Sequence, residues 1–264
     1  MTMQFGMPTL IEIKSPEGCA ALCRELGLTF IELNMNLPEY QADKMDVIKL
    51  RKIADEYDVY LTIHLDENLN PCDFNEKVAG AYTDTVLQTI ENAKRLKAHI
   101  LNMHLNPGVW FTLPNKKVFL FEEYETEYLH KLAAFRDTCT AAIGDTDMKI
   151  CVENTETFQH GFGADSLAVL LESPVFAVTF DIGHDAGNDF KQRPAIDRHK
   201  NRLHHMHIHD ARGKDNHLPL GDGNLELGEY LELAKAHDCR SVLEVKTADG
   251  LRQSVNWLKG RGWL

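Results

Sequence analysis

The chain has 264 residues, with 28 lysines and arginines against 40 aspartates and glutamates, and its formal net charge of −12 argues against a broad nucleic-acid footprint while favouring cations. The 6 cysteines form no CxxC pair or zinc-ribbon spacing, and no apolar run approaches the length of a membrane span. We therefore predict a soluble, unexported, cytoplasmic protein with reduced thiols, no membrane contact and one domain over residues 1–264.

Short β-rich runs alternate with helical patterns along the whole chain. The predicted strands are, in order, MQFGMP, FIELNM, YLTIHL, HILNMHL, MKICVEN, FAVTFDIGH, HMHIHD and SVLEVK. The helical patterns that follow them are CAALCREL, MDVIKLRKIADEY, KVAGAYTDTVLQTIENAKRLK, residues 122–142, ADSLAVLLE, a weak segment at 196–200, GEYLELAKAH and LRQSVNWLKG. This alternation predicts a parallel sheet, and eight units at this length predict an α/β fold that closes as a (β/α)8 TIM barrel. We interpret residues 106–118 as a loop or lid over the barrel.

The stretch from His204 to Asn224 concentrates histidine and carboxylate at the end of the seventh strand. Met206 and Ile208 lie on one face of this strand, and His205, His207 and His209 lie on the other. Histidine and carboxylate packed this closely above a strand end are typical of a divalent metal site. For this segment alone, a histidine-rich surface loop is the alternative interpretation.

Polar side chains also end five other predicted strands, where the chemistry of such a barrel is found. Each has apolar neighbours in the opposite phase, so that the polar side chain is expected to face the barrel axis. The five are His64, His104, Glu153, Asp181 and Glu244. Carboxylates gathered in a desolvated mouth need a compensating cation, so we predict a metal held by Glu153, Asp181, His207 and Glu244.

As a set, these motifs resemble the xylose isomerase-like TIM barrels. The resemblance rests on the strand-end residues above, on FDIGH, HIHD and DNHLPLGDGN, and on the LE that ends in Glu244, and it covers nearly the whole chain. That superfamily contains sugar and sugar-phosphate isomerases and epimerases, inosose and dehydroshikimate dehydratases, and endonuclease IV-type apurinic/apyrimidinic endonucleases. The resemblance implies one divalent ion, Mn, Zn, Co or Mg, on the four predicted ligands. In the endonuclease branch, three zinc ions are held by the same four positions together with His64, His104, His184, Asp215 and His217.

The resemblance implies a metal-dependent isomerase or epimerase that acts on a small sugar or sugar phosphate through an enediolate. Glu153 and Glu244 are then expected to serve as base and acid, and His184 to contact a substrate hydroxyl. Binding of a terminal oxygen or phosphate is expected from Arg212 or Lys214, for which a solvated turn is the alternative, and Glu156 is a weaker candidate for a substrate contact. The sequence leaves the oligomeric state open, homo-oligomers included.

The main alternative is an endonuclease IV-like zinc phosphodiesterase that acts at abasic sites in DNA. The segment NMNLPEYQADK after the second strand lacks that family's NPRQW-like motif, and TLIEIKSPEG departs from its GxHVSxxGG. Both departures favour a small-molecule substrate over a nucleic acid. A polyol or inosose-type dehydratase is a further alternative, because abstraction of a proton beside a carbonyl opens both reactions. A noncatalytic sugar or metal binder is disfavoured by the presence of both glutamates.

Overall fold

Eight parallel strands close into a barrel in this structure, a computed structural model that describes residues 3–264. Met1 and Thr2, which belong to the stretch predicted to lack an export signal, lie outside the described residues. Each strand pairs with its neighbours in chain order, and the last pairs with the first. The strands are β1 (Gln4–Pro8), β2 (Phe30–Asn34), β3 (Tyr60–His64), β4 (Ile100–His104), β5 (Lys149–Glu153), β6 (Phe176–Asp181), β7 (Leu203–Ile208) and β8 (Arg240–Leu243).

Helices connect the strands, which confirms the predicted (β/α)8 barrel. They are α1 (Pro16–Leu26), α2 (Val47–Tyr57), α3 (Glu76–Leu96), α4 (Leu120–Glu123), α5 (Glu125–Ile143), α6 (Gly161–Leu171), α7 (Ile182–Gly187), α8 (Arg193–Arg198), α9 (Leu227–Ala236) and α10 (Ala248–Lys259). Short 3-10 helices cover Pro38–Tyr40, Glu156–Gln159 and Lys200–Arg202. The extent of the domain over residues 1–264 stays a prediction.

Three local features differ from the sequence-based expectations. Residues 106–118 are not simply a loop, because Trp110–Thr112 and Lys117–Phe119 pair as an antiparallel hairpin. Both strands are rich in β-branched and aromatic residues, which favour extended structure. The weak helix expected at 196–200 lies earlier, as α8, and the expected helix at 122–142 is split into α4 and α5.

The period-2 pattern of the strands divides the barrel into two layers. The apolar phase packs outward against the helices in one extended core, and the polar phase faces the axis. Inside the barrel, the Thr179 hydroxyl donates to the Asn102 side-chain oxygen at 2.6 Å, and both residues are buried. The barrel interior is therefore polar near the carboxyl ends of the strands.

All 6 cysteines are buried and none is in a disulfide, and their reduced state stays a prediction. Within residues 3–264, no helix combines the length and the apolar character needed to cross a membrane.

Candidate metal centre and active site

The carboxyl ends of four neighbouring strands bring three carboxylates and one imidazole to one mouth of the barrel. Glu153 ends β5, and Asp181 ends β6 in register with His207 of β7. Glu244 directly follows β8, where its backbone N–H still donates to the carbonyl of Ile208 at 3.0 Å. Because parallel strands end at the same face of a barrel, residues far apart in sequence become neighbours here.

One atom from each of these four residues lies within 4.8 Å of the others. The His207 Nδ1 atom is 3.3 Å from Glu153 Oε1, 3.7 Å from Asp181 Oδ2 and 3.1 Å from Glu244 Oε2. Glu153, Asp181 and His207 are buried, and the Glu244 side chain is 12% exposed. We call these four residues the metal cluster.

The donor atoms of the metal cluster suit a divalent cation. Glu153 Oε1, His207 Nδ1 and Glu244 Oε2 are buried atoms without a hydrogen-bond partner, and all three point at the same place. Leaving such atoms unpaired is costly in a folded protein, and each such group needs an explanation. A cation bound between them would satisfy all three, and carboxylate with imidazole is a donor set that suits Mn, Co, Zn or Mg.

The remaining carboxylate oxygens of two ligands are held by neighbours. Glu153 Oε2 accepts hydrogen bonds from the Asn102 side-chain amide and from His104 Nε2, the latter at 3.1 Å. Glu244 Oε1 accepts from Lys246 Nζ at 2.8 Å. Each glutamate is thus fixed through one oxygen while its other oxygen stays free toward the centre of the cluster.

Asp181 is fixed by the chain around it. It caps α7, because its Oδ1 atom accepts from the His184 backbone N–H at 2.6 Å, and His209 Nε2 lies 3.2 Å from the same oxygen. His209 can donate from Nε2 because its Nδ1 atom accepts the backbone N–H of His217 at 3.2 Å. The strand end, the helix start and the hairpin that contains His217 are therefore tied together at this carboxylate.

Gly183 allows that close approach. A Cβ atom at this position would overlap the His209 ring and the Asn216 side chain, whereas a Cβ at Gly187, in the same helix, would meet nothing within 4 Å. We expect Gly183→Ala to lower the free energy of unfolding by about 1–3 kcal/mol, because the packed ring must shift. Gly187→Ala is the matched control and is expected to be neutral or slightly stabilising. Chemical unfolding followed by circular dichroism measures both, and equal effects would refute the close-packing explanation.

Histidines surround the carboxylates and carry compensating charge. Burial by itself lowers the pKa of His64, but the hydrogen bond to Glu153 and the charge of that carboxylate raise it to about 9. Burial also opposes charge on His184, yet Asp181 and Glu153 raise its pKa to about 10. Burial favours the neutral form of Glu153, but the charges of His207 and His104 hold its pKa well below its usual range. The mouth is thus a tightly coupled set of opposite charges.

Most of the additional residues predicted for the site lie around the metal cluster. His64 and His104 form a second group with Glu153, with ligand atoms within 4.8 Å of one another. His184 Nδ1 is 3.2 Å from Glu153 Oε1, and His217 Nε2 is 3.5 Å from Glu244 Oε1.

Four other predicted residues are exposed. Asp215 is the exposed first residue of a half-buried hairpin strand, Asp215–Leu218, that pairs with Asp210–Arg212. Arg212 donates to the backbone carbonyl of Asp222, and Lys214 lies in the turn between the two strands. Glu156 begins the 3-10 helix Glu156–Gln159. Their assignment as metal or substrate contacts stays a prediction.

Sequence reasoning missed three residues that the structure places at or below the site. Asn102 and Lys246 hold oxygens of the metal cluster, and Glu32 contacts His207 from inside the barrel. His209, which the sequence placed on the imidazole face of the seventh strand, holds Asp181. The signal for Glu32 was its position as the one charged residue in the apolar strand FIELN. Lys246 lies two residues after the predicted ligand Glu244, but the sequence does not show that its side chain points back to that carboxylate.

The cavity next to the metal cluster is small. It has a volume of about 150 Å³ and is lined by Glu244, Lys246, Asn34, Asn36 and apolar residues of the loops after β1 and β2. A larger cavity of about 680 Å³ lies at the opposite end of the barrel, against the first residues of several strands. We assign the chemistry to the smaller one, because it alone of these two touches a residue of the metal cluster.

Comparison with known proteins gives consistent matches across the chain. The model of a family described as xylose isomerase-like TIM barrel matches residues 20–261. An uncharacterised protein of Methanocaldococcus jannaschii is 28% identical over 267 residues, covering 97% of this chain and 87% of its own length.

Solved structures match over nearly the same extent. A D-tagatose 3-epimerase-like protein superposes with a TM-score of 0.80 at 25% identity, covering 98% of this chain and 96% of its own. The 3-keto-D-glucoside 4-epimerase YcjR from E. coli gives a TM-score of 0.77 at 14% identity, covering 98% and 100% of the two chains. With the barrel and the family match together, the chain belongs to the xylose isomerase-like TIM barrel family.

Proposed function

We propose that this protein is a divalent-metal-dependent isomerase or epimerase that acts on a small sugar or sugar phosphate through an enediolate. One observation carries the proposal: unpaired buried atoms of Glu153, His207 and Glu244 converge at the mouth of the barrel. Two of the similar solved structures are described as an epimerase-like protein and an epimerase of sugars, which supports a sugar as the substrate.

The metal cluster is proposed to hold one ion. Bound there, a divalent ion supplies a Lewis acid that polarises a substrate carbonyl and stabilises negative charge on its oxygen. The cluster offers three carboxylates and one imidazole, a donor set that suits a divalent cation. His64, His104 and His184 contact the carboxylate oxygens of Glu153, and they are proposed as substrate contacts or as supports for this carboxylate.

Glu153 and Glu244 are proposed to move the protons. They follow strands β5 and β8, so they approach the centre of the mouth from different sides, and each has one free oxygen. One removes the proton beside the carbonyl and the other returns a proton to the opposite face in an epimerisation, or to the neighbouring carbon in an isomerisation. Lys246 holds the second oxygen of Glu244 and so fixes the direction of the carboxylate.

Transfer of a substrate proton through a side chain predicts exchange with solvent. When the enzyme turns over a ketose or ketose phosphate in deuterated water, we expect deuterium at the carbon next to the carbonyl of the recovered sugar. Mass spectrometry and proton NMR of the product measure this incorporation, and the same protein dialysed against EDTA is the control. A product lighter by one water would indicate a dehydratase, and recovery of every tested sugar without deuterium would contradict the proposal.

The nuclease alternative is less well supported by the geometry. The structure gathers His64 and His104 beside Glu153, as that alternative requires, but Asp215 is exposed and belongs to none of the described groups of ligand atoms. EDTA-sensitive cleavage of duplex DNA at abasic sites, at low enzyme concentration, would nevertheless replace the proposed function.

A further inference from the structure

Glu32 is a buried carboxylate inside the barrel that lies outside the metal cluster. It is located in the middle of β2 and is 2% exposed. In the order of strands around the barrel, β2 and β7 are separated by β1 and β8, so Glu32 reaches across the interior to the histidines of β7. A buried carboxylate is costly unless its oxygens are paired; Oε2 of Glu32 takes part in hydrogen bonds, and Oε1 lies at ion-pair distance from an imidazole nitrogen.

The two oxygens of Glu32 serve two different imidazoles. Glu32 Oε2 is 2.9 Å from His205 Nε2 and also accepts the Thr62 hydroxyl at 3.1 Å. Glu32 Oε1 is 2.9 Å from His207 Nε2. His207 therefore lies between two sets of carboxylates, with Nε2 toward Glu32 and Nδ1 toward the metal cluster.

This arrangement matters for metal binding because an imidazole binds a metal through a nitrogen that carries no proton. With Nδ1 directed at the centre of the cluster, the ring proton of His207 must lie on Nε2 when a metal is bound. A carboxylate beside that nitrogen favours this tautomer, fixes the ring and makes Nδ1 a stronger donor.

We propose that Glu32 is a positioning residue that holds His207 with its proton on Nε2 and thereby sets the affinity of the metal cluster for its divalent ion. This inference rests on the metal centre of the proposed function. Glu32 is taken to act through His207, because it is not one of the four residues of the metal cluster; together with His205 and His207 it forms a separate group of ligand-type atoms within 4.8 Å of one another.

The test is the affinity of the full, chelator-stripped chain for Mn²⁺, measured by calorimetry. Glu32→Gln keeps the size of the side chain and removes its charge, and we expect the dissociation constant for Mn²⁺ to rise about 10–100-fold. The activity of Glu32→Gln, relative to that of the unmodified chain, should be much higher at saturating Mn²⁺ than at low Mn²⁺. Asp185→Asn is the matched control, since Asp185 is also a buried carboxylate but accepts the backbone N–H groups of Gln192 and Arg193.

A merely structural role gives a different result. In that case Glu32→Gln and Asp185→Asn would both lower the melting temperature of the metal-free chain and leave the Mn²⁺ dissociation constant unchanged, which would overturn the proposal. Should Glu32→Gln not fold, Thr62→Val carries the test, because it removes only the hydroxyl that donates to Glu32; weaker Mn²⁺ binding supports the proposal and unchanged binding overturns it. If the unmodified chain takes up none of Mn²⁺, Co²⁺, Zn²⁺ and Mg²⁺, the proposed metal centre fails too, whereas equal Mn²⁺ uptake by Glu32→Gln refutes only the role of Glu32.

Discussion

Replacement of Glu244 by glutamine should lower kcat for any accepted sugar by about 10²–10⁴-fold while leaving the fold intact, because the amide cannot exchange a proton as the carboxylate does. Glu244 is suited to this role because its Oε1 atom is held by Lys246 while Oε2 is free toward the centre of the mouth. The substitution keeps the side-chain volume, so circular dichroism and melting temperature are expected to stay near those of the unmodified chain. Steady-state kinetics with ketoses and ketose phosphates measures the effect.

Two controls separate proton transfer from other consequences of the change. Glu232→Gln alters an exposed glutamate on α9 and is expected to leave kcat unchanged. Because Glu244 also belongs to the metal cluster, the assay is repeated at saturating metal. A loss that persists there assigns the proton transfer to Glu244, and a full rate in Glu244→Gln would end the acid–base assignment.

Removal of the metal is expected to abolish turnover and to lower the melting temperature. A ligand at about 100 times its dissociation constant stabilises a folded chain by about 2.7 kcal/mol, and in a protein of this size that corresponds to about 5–10 °C. The metal-free chain should remain folded, because protonated His64 and His184 compensate the carboxylates in place of the ion. Thermal unfolding and activity before and after EDTA treatment, followed by addition of Mn, Co, Zn or Mg, measure both effects.

The same experiment also ranks the ions. The one that restores both activity and melting temperature at the lowest concentration is the best candidate for the resident metal. Full activity after exhaustive dialysis against EDTA, with a melting temperature that no ion changes, would contradict metal dependence.

The barrel could be predicted from the sequence because its signal is local. Strands such as YLTIHL and MKICVEN alternate apolar and polar residues, and each is followed by a helical pattern, so strand direction and facing follow from short windows. The same local logic placed Glu153 and Asp181 at strand ends, and the structure brings them to within reach of His207 and Glu244. Closure of the parallel barrel then brings these residues together, because the carboxyl ends of all eight strands lie at one face.

What could not be predicted depends on contacts across the barrel or on loops. Glu32 contacts His205 over a sequence separation of 173 residues, which no local pattern encodes. Asp215 is exposed at the start of its hairpin strand, a placement that no local pattern encodes, and its role at the site stays a prediction. The hairpin at Trp110–Phe119 was missed because its strands are only three residues long and its first strand is exposed.

The most direct test of the whole account is the metal content of the protein purified without chelator, determined by inductively coupled plasma mass spectrometry on the unmodified chain and on Glu244→Gln. We expect about one divalent ion per chain in the unmodified protein and a marked loss in Glu244→Gln, because one ligand atom of the metal cluster is then neutral. No bound metal, or a content that does not depend on Glu244, would contradict the proposed centre. Three zinc ions per chain would favour the nuclease instead.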